Sequence, residues 1–241
     1  MRVRLATYNV KGFPWTAPPI QSIVHWITGR SGVEIVALQE IWCRHTAWAS
    51  AFAAAGWSFI RPPREHHIAG IFGSGLAIAW RSAAWKLTDA RFYPYLSAVG
   101  FDSFATKGWF RAELRDLRTG TPLRLINTHM QSDYEVCDDL WRPIAEPVRM
   151  AQALQLTETE ARMPPMLTLI AGDFNTEVCW LSECRYLTAH AGPTFPSTNQ
   201  VLDHCAAPAT QPWKLIAHRV CREAGEWSDH WPVIWEFSVS Q

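Results

Sequence analysis

No apolar run in these 241 residues reaches the 18 or so that a membrane-crossing helix needs, so no transmembrane helix is expected. None of the six cysteines (Cys43, Cys137, Cys179, Cys184, Cys205 and Cys221) forms a Cys-x-x-Cys pair, which argues against a structural zinc site. The even count permits disulfides without requiring them. Neither sign of charge is in excess. Lys plus Arg and Asp plus Glu number 22 each, where a domain that lives by gripping nucleic-acid backbone is usually basic. A local basic cleft stays open. No charged segment, apolar stretch and cleavage site open the chain, so it is expected to be cytoplasmic if complete, or secreted if a signal peptide was removed. Repeats, low-complexity segments and linkers are missing too, and residues 1–241 read as one domain and as a monomer. The 48% hydrophobic and 18% charged residues fit a globular chain with a sizeable core. Tryptophan is abundant at 14. Most should pack in core or cleft, and a few on loops suit an amphiphilic substrate or a membrane interface.

The periodicities give an outline. Residues 2–10 alternate as a strand, and Lys11-Gly-Phe-Pro-Trp15 breaks it. Ile20, Ile23, Val24 and Ile27 recur at helical spacing. Residues 33–38 are a short β-branched strand ending in Gln39-Glu40, and the Ala-rich 46–55 is helical, stopped at Gly56. Strands are expected at 57–60, at 75–80 with 85–93 placed to pair with it, and at 109–117 and 123–127 as a hairpin. The longest helix spans 146–162 and ends at Pro164-Pro165. A strand follows over 166–170, then loop over 177–200, then strands at 201–202, 213–220 and 231–239. Many hairpins with few helices imply an α/β chain of the α+β type. The expected architecture is a four-layer sandwich, two mostly antiparallel β-sheets packed face to face with helices outside.

The apolar run 166–170 ends abruptly in Gly172-Asp-Phe-Asn175. On extended backbone Asp173 and Asn175, two apart, point to the same side. Alone this is most simply a polar turn. Other strand ends finish the same way: Asn9, Glu40, His129, Asp203 and the Asp229-His230 pair. In a two-sheet fold such ends converge. Glu40, with Asn9 and Asp229, offers oxygen donors suited to Mg²⁺, which usually takes one or two carboxylates and keeps several waters. Two histidines and an aspartate can activate water. Each residue also has a plain structural reading: a turn for Asn9, a helix cap for Glu40, structural histidines for His129 and His230. His66, His67, His190 and His218 read as loop or surface residues.

Six motifs stand in order: Thr7-Tyr-Asn-Val, Leu38-Gln-Glu-Ile-Trp42, Asn127-Thr-His129, Gly172-Asp-Phe-Asn175, Leu202-Asp203 and Ser228-Asp-His-Trp-Pro-Val233. In order and spacing they resemble the endonuclease/exonuclease/phosphatase superfamily over residues 3–238. The resemblance implies a metal-dependent phosphodiesterase using Mg²⁺, with Mn²⁺ as a substitute. It implies metal contacts at Glu40, Asn9 and Asp229, and His230 as general base on water, oriented by Asp203. Asp173 and Asn175 would orient nucleophile and phosphate. His129 would stabilise the phosphate or serve as acid near the leaving oxygen.

Gln39-Glu-Ile-Trp42, Asn127-Thr-His-Met-Gln-Ser-Asp-Tyr134, Arg149-Met-Ala-Gln-Ala-Leu-Gln-Leu156 and Asp102…Lys107-Gly108 resemble the neutral sphingomyelinase-like branch. That likeness implies Lys107 near a substrate phosphate, and a lipid head group favoured over nucleic acid. Read without it, Lys107 is a solvated loop lysine. No long apolar hairpin or hydrophobic tail for membrane docking is present. A deoxyribonuclease I-like nuclease is the competing assignment, and a catalytically silent binding module on the same scaffold is a third. The loops 11–20, 61–74, 94–108 and 177–200, carrying Trp15, Trp109 and Trp180, would choose the substrate.

Overall fold

The structure is a computed structural model that describes residues 1–13, 15–29, 32–63, 73–133, 138–187, 192–224 and 226–239, with the backbone alone for 138–142. His66, His67, Tyr134, Cys137, His190 and most of loop 61–74 lie outside the described residues. The first sheet contains β1 (Arg2–Asn9), β2 (Ile35–Gln39), β3 (Trp57–Ile60), β4 (Ala77–Arg81), β11 (Trp213–Val220) and β12 (Val233–Val239), in the order β11-β12-β1-β2-β4-β3. The second contains β5 (Trp85–Pro94), β6 (Gly108–Asp116), β7 (Pro122–His129), β8 (Leu167–Asp173), β9 (Cys184–Tyr186) and β10 (Asp203–Pro208), in the order β5-β6-β7-β8-β10-β9. Each sheet has a single parallel pair, β1 with β2 and β7 with β8. A helical crossover serves each, α1 (Ile20–Gly29) in the first and α3 (Asp138–Ala161) in the second. The third helix, α2 (His45–Ala54), leads into β3.

Four layers follow from side-chain alternation. Val3, Leu5, Ile35, Ala37, Leu125, Leu169, Trp235 and Phe237 meet between the sheets. The opposite face of the first sheet, through Ala6, Tyr8, Val36 and Leu38, buries the apolar stripe of α1 and Trp48 and Phe52 of α2. Ile126 and Ile170 of the second sheet pack against Ala153 and Leu156 of α3. No described helix is long and apolar enough to cross a membrane.

Several elements depart from the periodicity. β5 does not pair with β4, because β2 and β3 already occupy both edges of β4. Instead β5 crosses over and pairs with β6, placing Trp85 in the inter-sheet core. Helix α3 begins at Asp138 and runs through Pro143 and Pro147. Residues 201–202 are not a strand. The strand is Asp203–Pro208, whose Cys205 and Ala207 face the core but carry little β-pattern. β12 opens at Val233, after Trp231 and Pro232 bond to Thr194 and Cys221. The 177–200 segment holds the short β9. Trp109 is on β6 and buried, not on a loop, and His218 is on β11. Among the described residues Cys43, Cys179, Cys184, Cys205 and Cys221 are free thiols.

Candidate active site

The same alternation that builds the core builds the site. Inward residues read Val3, Leu5, Thr7, Asn9 on β1 and Ile35, Ala37, Gln39 on β2. They read Leu123, Leu125, Asn127, His129 on β7 and Leu167, Leu169, Ala171, Asp173 on β8. Each series is apolar at one end and polar at the other, and the β1–β2 and β7–β8 pairs are parallel, so their polar ends coincide. The antiparallel β10 enters from the opposite direction, and its first residue, Asp203, faces Asp173 in register.

A buried polar layer underlies this end. Gln39 Nε2 donates to Asn127 Oδ1 at 2.7 Å and to Thr7 Oγ1 at 3.0 Å. Asn127 Nδ2 donates to the carbonyls of Leu38 and Ala77, both at 2.8 Å. These amides tie the two sheets together where the apolar core ends. Thr7, Gln39 and Asn127 stood inside the recognised motifs, yet their contacts depend on sheet packing that no local pattern reveals.

Above it the polar groups converge. His230 Nδ1 lies 2.7 Å from Asp203 Oδ2. His230 Nε2 and His129 Nε2 each lie 3.6 Å from Asp173 Oδ2. Asn9 Nδ2 donates to that same oxygen at 3.0 Å and to Glu40 Oε1 at 3.1 Å, bridging the sheets. Ser228 Oγ donates to the Asn9 carbonyl at 2.7 Å and receives the His230 amide at 3.2 Å, which fixes the turn carrying Asp229 and His230. Phe195 packs on the His230 ring, with centroids 4.8 Å apart.

Three placements differ from expectation. Asn175 is not on extended strand. It turns with φ 51°, its amide N–H donates to Asp173 Oδ1 and its side chain donates to the Met130 carbonyl at 3.0 Å. The chain breaks there because Gly172, at φ 151°, lies against Thr128, where a Cβ would meet the Thr128 carbonyl. Lys107 is not solvated. Its buried ammonium donates to the same Met130 carbonyl at 3.0 Å and pairs with Asp102 at 3.2 Å. Asp229 turns its Oδ2 to Lys11 Nζ at 2.6 Å. Sequence reasoning gave no role to Lys11 or to Ser228, which it quoted only within a motif, and passed over His204, whose Nε2 contacts the Thr176 carbonyl at 2.9 Å from behind the site.

Burial sets the charge states. Desolvation pushes the Asp173 carboxyl upward, with Asp203 adding to the effect and His230 opposing it. Desolvation pulls His230 down, but Asp203 and Asp173 outweigh it and hold the ring protonated well above the ordinary histidine range. His129 is driven low by burial, with Lys107 and His230 reinforcing it, and stays neutral. Burial raises Glu40 against the Asn9 hydrogen bond and the Lys107 charge.

A divalent cation fits the Glu40 corner best. Glu40 Oε2 is buried without a hydrogen-bond partner, and an orphaned hard oxygen is what such an ion satisfies. Asp173, Asp203 and His230 also bring ligand atoms within 4.8 Å of one another. There, however, the short Nδ1–Oδ2 hydrogen bond already fills the gap, as in a proton-handling pair.

A two-sheet sandwich thus carries a buried carboxylate–histidine cluster at one end. The chain belongs to the Endonuclease/Exonuclease/phosphatase family, whose model matches residues 6–230. That family is one of phosphodiesterase- and nuclease-type hydrolases. No curated protein matches the chain in sequence. Among solved structures, a beta toxin from Staphylococcus aureus with bound magnesium ions is similar with TM-score 0.77 and 16% identity, covering 100% of both chains. Sphingomyelinase C from Streptomyces griseocarneus gives TM-score 0.73 and 16% identity, covering 98% of this chain and 99% of that one. D. rerio TDP2 complexed with a single strand DNA product gives 0.75 and 14%, covering 99% of each. At such identities the likeness is one of fold.

Proposed function

We propose that this chain hydrolyses a phosphodiester by in-line attack of water, with Mg²⁺ (or Mn²⁺) held at Glu40 beside Asn9. The observation that carries the proposal is the His230 ring, clamped at Nδ1 by Asp203 while Nε2 faces the mouth beside Asp173. Once the ring has given up its Nε2 proton, with Nδ1–H still given to Asp203, Nε2 takes the proton of the attacking water. Asp173, turned by Asn9 and braced by the Asn175 amide, orients that water. His129, neutral through burial, offers an N–H hydrogen bond to a phosphate or leaving-group oxygen. Lys107 and the Asn175 side chain share the Met130 carbonyl, and this nearness supports giving both to the phosphate. Asp229, whose metal role came from the sequence, serves as partner of Lys11. The bound cation would offset charge developing on the non-bridging oxygen.

A lipid head group is the favoured substrate. Net charge is zero, and Trp15, 72% exposed, stacks on Phe13, which stacks on Trp42 two residues beyond Glu40. The neighbours include a sphingomyelinase. Nucleic acid is the second reading, favoured by the TDP2 structure with its DNA product. The test is a substrate panel (bis-p-nitrophenyl phosphate, sphingomyelin, a lysophospholipid and plasmid DNA) with Mg²⁺ and EDTA arms. Choline phosphate release that EDTA abolishes is expected, with little plasmid cutting. Efficient nicking without lipid turnover would reverse the ranking. Turnover no greater than that of His230→Ala on every substrate would sink the enzyme reading.

A further inference from the structure

We infer that the Lys11 ammonium is a built-in cation of this site, so that one divalent ion binds, at Glu40, and a second is kept from Asp229. The inference rests on the cation-dependent reading above and concerns how many ions the site takes. Two oxygen atoms on the Asp229 side are already engaged. Asp229 Oδ2 meets Lys11 Nζ at 2.6 Å. Asn9 Oδ1 accepts the Lys11 backbone N–H at 3.1 Å. Lys11 thus occupies one acidic residue through its side chain and the neighbouring amide oxygen through its backbone. Glu40 differs: Oε1 is met by Asn9, and Oε2 is buried with no donor.

The placement of Lys11 is set by backbone. Lys11 has φ 46° and Glu40 has φ 60°, both left-handed, a conformation costly for side-chain-bearing residues. The two turns lock together: the Gly12 N–H donates to the Glu40 carbonyl at 3.0 Å, and a Cβ on Gly12 would come within 2.6 Å of that oxygen. Any larger residue at 12 would push the turn away and withdraw the ammonium from Asp229. Chemically, an ion entering at Asp229 would have to displace a lysine held by this turn, and a lysine left in place would repel it. A strongly hydrated divalent ion gains little from an acid already neutralised. The pair is partly open, with the Lys11 side chain 45% and Asp229 33% exposed, so removing the lysine opens the position to ions from solution.

The experiment counts ions directly, by electron paramagnetic resonance titration with Mn²⁺ and without turnover. One ion per chain is expected for the wild type and for Lys11→Arg, which keeps a cation. Two are expected for Lys11→Met, and one again for Lys11→Met combined with Asp229→Asn. Circular dichroism checks that each variant is folded. Two ions in the wild type, or one in a folded Lys11→Met, would overturn the inference. A separate arm with Glu40→Gln tests the underlying reading. That variant should lose the ion, and if it keeps wild-type binding the Glu40 site is wrong whatever Lys11 does.

Discussion

His230, in the turn before β12 of the first sheet, and Asp203, the first residue of β10 in the second, meet at 2.7 Å. Asp203 in turn faces Asp173 across the β8–β10 ladder, so strand register sets the distance between the two carboxylates on either side of the imidazole.

Removing that partner should alter the pH profile as well as the rate. Burial lowers the affinity of His230 for its proton, but Asp203 and Asp173 raise it above the ordinary value of 6.5. A base must be unprotonated to act, so activity should climb as pH rises above 6.5. In Asp203→Asn the proton leaves more easily, and the acid limb of the kcat profile should move to lower pH. The plateau should fall on the order of 10²-fold or more, because the ring is no longer oriented. An acid limb that stays in place would separate Asp203 from His230.

Glu40→Gln should raise the Mg²⁺ concentration needed for half-maximal activity and lower the saturated rate by about 10² or more. The orphaned Oε2 is the reason, since a carboxamide offers a weaker donor at the same position. An unchanged Mg²⁺ titration would remove Glu40 from the metal site.

The buried amide layer makes a prediction about stability. Asn127→Leu would strand the Leu38 and Ala77 carbonyls and one side of Gln39 away from water. Each unpaired buried group costs about 1–3 kcal/mol, so a loss of about 3 kcal/mol or more is expected in urea denaturation. A loss below half a kcal/mol would mean the layer relaxes or admits water.

At the far end of the sandwich Arg118 donates to Asp116 of the second sheet and to Glu34 beside the first. Burial raises the Asp116 carboxyl, but the Arg118 hydrogen bonds outweigh it and hold the group below its ordinary 3.8. A depressed acid contributes stability above its unfolded pKa and loses it as pH falls through the folded value. Asp116→Asn should therefore lower the melting temperature by about 2–6 °C at pH 7. The gap should close as pH falls below 3.8 and through the lower folded value. A pH-independent gap would point to packing, not charge.

The sequence by itself determined the strands whose alternation is strong, the α1 and α2 helices, and the polar residues at the ends of β1, β2, β7 and β8, because a period of two fixes which side chains share a face. It also supplied Asp203, Asp229 and His230 through short motifs. Tertiary structure alone decided the partner of β5, since that depended on which edges of β4 were free. It decided that Lys107 is buried and that Asn175 turns away from extended backbone, because Met130 and Thr128 of the neighbouring strand region set both. It also gave Gly172-Asp-Phe-Asn175 its neighbours, and set Lys11 against Asp229 across 218 residues of chain. Local pattern fixes which way a side chain faces. Only the packing of one sheet on the other fixes what it faces.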